Sequence, residues 1–246
     1  MTKDEALGGK RIRPSSVSVS DGGKFTGAVF LYMFLALAIT GIVAALLGLL
    51  FEKLLYTADR GAFNQAYIIT LIVSLVLYIP TMIITEVLAL KNSKGMIPAY
   101  VIYSITMGVF ISTFTNFIPF WEIAVAFGGT CLAFGLMTLI AWFSRKNVSM
   151  FAVVGSGLLL GSMLIFSILM LLRLFNVQVD GIMWVISYVM LFAVFLITIV
   201  DLRRVKEIAD GGGAGSNVAL LCALTLYVDF IYIFIKLLLL IARTRR

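Results

Sequence analysis

The sequence predicts an all-α integral membrane protein, a bundle of seven transmembrane helices, and three observations lead there. Of its 246 residues, 62% are hydrophobic and 13% are charged, where a soluble domain carries about 25% charged residues. Seven apolar stretches follow one another, near 27–50, 67–89, 97–118, 123–143, 151–172, 181–200 and 218–241. Each has about 20 residues, enough to cross a roughly 30 Å hydrocarbon core at 1.5 Å per residue. The connections are short, and helix is the one open structure that satisfies backbone polar groups where there is no water.

Taken in order, residues 1–26 are rich in Ser, Gly and charge and are expected to form a disordered tail. Residues 27–246 then form one transmembrane domain. The first apolar stretch is too long for a cleaved signal and lacks a clear cleavage site, so it is expected to stay as a signal anchor. The second stretch carries Glu86 near its end and is followed by Lys91. A tight turn over Phe117 to Glu122 joins the third and fourth, and Ser144 to Ser149 joins the fourth and fifth. In the fifth, Gly157 and Gly161 form a G-x-x-x-G with Gly155 beside it. Such spacing lets helices approach closely, and packing within the chain is preferred over a dimer face. The sixth stretch closes on Asp201, and a Gly-rich segment over 202–217 is expected to be a flexible loop before the last helix.

The formal charge is +7. Basic residues lie in tails and connections without interleaved aromatics, which excludes a nucleic-acid groove. Twelve Lys and Arg fall on the side of the N-terminus and six on the other, with Lys236 inside the last helix. The positive-inside rule therefore puts the N-terminus in the cytoplasm, although the basic Arg243-Thr244-Arg245-Arg246 end falls on the opposite side. The absence of any targeting tail favours a bacterial plasma membrane. There is no histidine, which removes Ser-His-Asp and Cys-His catalysis and histidine-ligated metal sites. Cys131 and Cys222 lie in apolar stretches and read as small buried hydrophobes.

Acids inside transmembrane helices cost at least ~2.5 kcal/mol each at the bilayer centre, so they are the main functional signal. Asp229 sits well inside the last helix, and Thr225, Asp229, Tyr232 and Lys236 share one of its faces. A structural hydrogen bond, or a pair with Lys236, is the plainer reading of Asp229; Lys236 is also placed to snorkel. Asp201 precedes Arg203, Arg204 and Lys206 and is an ordinary interfacial acid unless the next helix brings Asp229 back to it. Glu86 fits a local pair with Lys91 or an interfacial acid. If the sixth helix ends at Asp201 and the last begins near 218, the two aspartates differ in depth by up to ~16 Å.

The run Ile199-Val200-Asp201-Leu202-Arg203-Arg204, followed by Leu224-Thr225-Leu226-Tyr227-Val228-Asp229-Phe230-Ile231-Tyr232, resembles the C-terminal signature of the Bax inhibitor-1 family. Ala126-Phe127-Gly128-Gly129-Thr130 is similar to a stretch of that family's fourth helix, and Tyr103 and Gly108 fit its third. Val200 stands where the family has Tyr, and Tyr232 where it has Asn. The basic residue at the end of the family's second helix has Lys91 as its nearest counterpart. The resemblance implies a bundle whose last helix is central and a pH-sensitive calcium leak, with Asp201 and Asp229 as a proton-sharing pair. Elementary electrostatics agrees, since two carboxylates close together in low dielectric cannot both ionise easily. Their hard oxygens would also suit Ca²⁺. The expected partners are the lipid bilayer, Ca²⁺ as permeant ion and protons; no cofactor is expected.

Three alternatives remain: a regulatory membrane protein without conduction, an ion- or proton-coupled transporter, and an intramembrane aspartyl protease. The protease class also carries one aspartate on each of two consecutive helices, but its second lies in Gly-x-Gly-Asp, whereas Asp229 follows Leu226-Tyr227-Val228. No enzyme activity is expected.

Overall fold

The computed structural model describes residues 19–57, 60–91, 95–115, 117–143 and 148–244. These form seven helices: α1 Val19–Thr57, α2 Arg60–Leu90, α3 Met96–Thr115, α4 Phe120–Phe143, α5 Ser149–Leu174, α6 Asp180–Asp210 and α7 Ser216–Thr244. Each contains a segment long and apolar enough to cross a membrane, and among the described residues there is no strand. Exposed large apolar side chains such as Ile69, Val76, Leu132 and Leu164 form the lipid-facing surface of this integral membrane protein.

The last helix is the centre of the bundle. Of the spanning window of α7, 61% is buried inside the protein, against 11% for α2. It packs against α1, α2, α3, α4 and α6, while α5 packs on α6. Leu220, Leu226, Tyr227, Ile233 and Leu238 of α7 are fully buried. Tyr227 ties α7 to α1 and α3. Its hydroxyl lies 2.6 Å from Thr40 Oγ1, which itself donates to the Ser104 carbonyl at 3.0 Å. One hydroxyl has one proton, so Tyr227 is the donor to Thr40.

Most other buried hydroxyls are satisfied by their own helix. Ser104 bonds the carbonyl of Tyr100, Thr130 that of Ala126 and Thr198 that of Val194. A helix in hydrocarbon meets its polar side-chain requirement this way without a partner.

Close helix approach depends on three glycines. A Cβ on Gly108 would lie 2.7 Å from Val43 Cβ and 2.8 Å from the Thr40 carbonyl, so α3 touches α1 there. A Cβ on Gly22 would collide with the Ala209 carbonyl at the end of α6. In α5 the residue against α6 is Gly155, whose Cβ would meet Leu196 and Ile197 at 3.1 Å. Gly157 and Gly161 have open space where a Cβ would go. The expected packing role of that G-x-x-x-G is thus corrected: the contact face of α5 is set by Gly155 instead.

Two boundaries also differ from expectation. The apolar pattern places the start of the first helix at residue 27, but α1 begins at Val19; residues 1–18 of the tail lie outside the described residues. The sixth helix does not end at Asp201 but continues to Asp210. The segment expected as a flexible loop is therefore mostly helix, and the remaining turn has a defined geometry. Gly213 N–H donates to the Ile208 carbonyl and Gly212 N–H to that of Ala209. Gly212 and Gly213 hold φ of 111° and 74°, a region that glycine enters without the clash a Cβ would bring.

The Gly108 contact yields a direct test. Gly108→Ala should destabilise the protein by about 1–3 kcal/mol through overpacking, while Gly157→Ala should leave stability unchanged or slightly raised. Thermal unfolding of the purified variants in one detergent measures the difference.

Candidate functional site

The extension of α6 decides the geometry of the two aspartates. With α6 ending at Asp210 and α7 starting at Ser216, Asp201 lies roughly 14 Å from the turn and Asp229 roughly 20 Å from it, at 1.5 Å per residue. The offset in depth falls from the expected ~16 Å to roughly 6 Å. Asp201 is an electrostatic neighbour of Asp229 across the two helices.

The environments of the two carboxyls differ. Asp201 retains 13% side-chain exposure and stands 3.7 Å from Arg204 Nη1, one turn further along α6. Asp229 faces inward, and its Oδ2 is shielded from solvent with no hydrogen-bond partner among the described residues. The Thr198 hydroxyl is its neighbour on α6. That hydroxyl also has the Val194 carbonyl at 2.9 Å. Its single proton can serve either acceptor, so when Thr198 donates to Val194 it can only accept from Asp229.

Basic residues beyond Asp201 explain why α6 continues. Lys206 Nζ donates to the Trp142 carbonyl at 2.7 Å, and Arg203 Nη1 donates to that of Ala141 at 3.1 Å. Both carbonyls belong to the last turn of α4, where a helix leaves its carbonyls without amide partners. Arg203 also pairs with Glu207 at 3.2 Å. The charges that end the apolar pattern are thus the side chains that fasten α6 to α4.

The other candidates separate. Thr225 is half-buried and donates to the Leu221 carbonyl at 3.2 Å. Tyr232 keeps a shielded hydroxyl without a partner among the described residues. Lys236 neither pairs with Asp229 nor snorkels freely: its Nζ donates to Ser187 Oγ on α6 at 3.0 Å. Glu86 and Lys91 are both exposed, and no ion pair joins them among the described residues. α2 packs on α1, α3 and α7, and the basic side chain paired with Asp201 is Arg204 on its own helix. Both cysteines are free, and Cys131 is exposed rather than buried.

Thr198 and Ser187 carry little sequence signal, since hydroxyls on a transmembrane helix are common. Thr198 could have been found by its position three residues before Asp201, on the same helix face. Glu122, almost fully buried in the first turn of α4, falls within the Phe117 to Glu122 turn by sequence; an acid there meets the positive end of the helix dipole.

If the Lys206 anchor holds the end of α6, Lys206→Met should cost about 1–2 kcal/mol, the loss of a charged donor to a carbonyl. Chemical unfolding in mixed micelles, compared with Lys91→Met as an exposed control, checks this.

Comparison with known proteins gives concordant matches. The family described as "Inhibitor of apoptosis-promoting Bax1" matches residues 23–246. The protein named "Inner membrane protein YbhL" of Escherichia coli strain K12 is 27% identical over 222 residues, covering 87% of this chain and 89% of that protein. Its counterpart in E. coli O6:H1 matches to the same extent.

Proposed function

The chain belongs to the Bax inhibitor-1 family, and on that premise we propose that it is a pH-sensitive calcium leak channel governed by Asp201 and Asp229. The observation that carries this reading is the pair of carboxyls on facing helices, with a depth offset of roughly 6 Å and one shielded oxygen without a partner among the described residues. With one proton between them, the two groups attract and hold α6 to α7. Without it, two negative charges repel in a medium that screens them poorly.

The same oxygens provide a transit site for Ca²⁺. Calcium takes 6–8 oxygen ligands when firmly held. Among the described residues no group of three His, Cys, Asp or Glu comes together, so an ion at the pair keeps most of its water. Weak binding of that kind suits conduction, because the ion must also leave. The Thr198 hydroxyl turns between Val194 and Asp229 as the proton comes and goes. Nothing beside Asp229 supplies the Gly-x-Gly-Asp of an aspartyl protease, and the protein is read as having no enzyme activity.

The N-terminus is cytoplasmic in this reading, and the membrane is a bacterial inner membrane, as it is by name for the E. coli relative. After replacement of Cys131 and Cys222, cytoplasmic-side labelling should reach cysteines introduced at Ser93, Ser149 and Gly213, and should miss one at Arg60. Labelling of Ser93 and Arg60 from one side would overturn the topology.

Flux through the purified protein in liposomes tests the function itself. Ca²⁺ entry should vary with pH in the native protein. Asp201→Asn and Asp229→Asn should each remove that variation, because an amide neither shares nor releases the proton. The double variant should be no worse than either single one, since groups acting as a unit are non-additive. A pH profile that survives both substitutions, or no Ca²⁺ flux at any pH, would sink the proposal in favour of a regulatory protein without conduction.

A further inference from the structure

At the opposite end of α6 from Asp201, a cavity of about 220 Å³ opens between α5, α6 and α7. Its walls are mainly apolar and aromatic, with Phe166, Trp184 and Leu191 among them. Three cations surround it. Lys236 reaches in from α7, with Nζ 5.8 Å from the Phe166 ring centre and 5.5 Å from that of Tyr232. Arg173 stands at the rim, 3.4 Å from Asp180 in a solvent-exposed pair. Arg243 stacks 3.6 Å over the Trp184 ring, which lines the cavity.

The charges do not balance. Asp180 is the one acid among the cavity's lining residues, and Arg173 already holds it. Lys236 has a neutral hydroxyl, Ser187, and two ring faces as its neighbours. Hydroxyl and rings stabilise an ammonium, but they do not neutralise it. A half-buried cation with no carboxylate beside it among the described residues favours an anion as its ligand. Lys236 sits roughly 12 Å from the end of α7 and Ser187 roughly 10 Å from the start of α6, at 1.5 Å per residue. The opening therefore lies near the headgroup level of one leaflet, and the apolar walls continue towards the hydrocarbon.

We propose that this cavity is a binding site for an anionic phospholipid, whose phosphate is held by Lys236 and Arg243 and whose acyl chain lies along the Phe166 and Leu191 side. A free phosphate ion would use the cations but leave the apolar wall uncovered; an uncharged or zwitterionic lipid would cover the wall but leave Lys236 unbalanced. A lipid with a net negative headgroup satisfies both, as basic pockets between transmembrane helices do elsewhere. The site is separate from the aspartate pair. It pins α5 to α6 and α7 from the leaflet opposite to the Gly211–Gly215 turn.

Trp184 reports on the site directly. The full chain, with Trp121 and Trp142 replaced by Phe, is reconstituted in phosphatidylcholine vesicles containing a minor fraction of brominated phosphatidylglycerol. Quenching of Trp184 should exceed that given by the same fraction of brominated phosphatidylcholine, corresponding to about tenfold enrichment of the anionic lipid at the site. Lys236→Gln should remove the excess, and Lys236→Arg should keep it. Equal quenching by the two headgroups in the otherwise native protein would overturn the proposal without recourse to any cavity variant. Loss of the excess on adding millimolar inorganic phosphate would overturn it too, by making the site one for a free anion.

Discussion

An unpaired charge cannot face hydrocarbon, and the arrangement of α6 and α7 follows from that single constraint. Both helices carry ionisable groups at membrane depth, so their polar faces must meet each other. Asp229 turns to Thr198 on α6, and Lys236 turns to Ser187 on the same helix. A helix with polar groups along its length cannot lie at the rim of a bundle. The centrality of α7 is therefore an electrostatic outcome as much as a matter of packing, and the aromatic and leucine side chains on its other faces complete the core around it.

The same constraint explains how the rest of the polar inventory is handled. Hydroxyls fold back on their own helices, which lets apolar faces pack without cross-helix bonds. Where a hydroxyl does cross, as from Tyr227 to Thr40, it joins the central helix to α1 at the level where Gly108 lets α3 approach. Basic side chains at the end of α6 take up the open carbonyls of α4. Each device removes a polar group from lipid with a partner already present in the bundle.

Hydropathy makes the number and order of the helices legible, because seven spans separated by short polar breaks admit few other readings. Helix ends are less legible where charges serve the fold. Arg203, Arg204 and Lys206 end the apolar pattern, yet they lie inside α6 and two of them cap a neighbour. The glycines after Asp210 look like a flexible linker by composition, and the positive φ values of Gly212 and Gly213 mark a helix cap instead. Likewise, spacing shows that α5 carries small residues but not which of its faces meets α6; Gly155 takes that contact, and Gly157 and Gly161 are left facing out. The carboxyls were visible because acids are costly in a membrane. Their reduced offset in depth was not, because it depends on where α6 stops.

Asp229 and Lys236 are close enough in sequence to have neutralised one another, two turns apart on one helix face. They do not, because each is engaged by a different part of α6. Thr198 and Ser187 are about three turns apart, so antiparallel pairing with α6 holds the acid and the base of α7 at different depths. The consequence is a bundle with an acidic site towards one end and a basic cavity towards the other, both built on the same pair of helices. A direct Asp229–Lys236 bridge would cancel both. Keeping them apart leaves a shielded carboxyl oxygen without a partner among the described residues, and an ammonium held by a neutral hydroxyl.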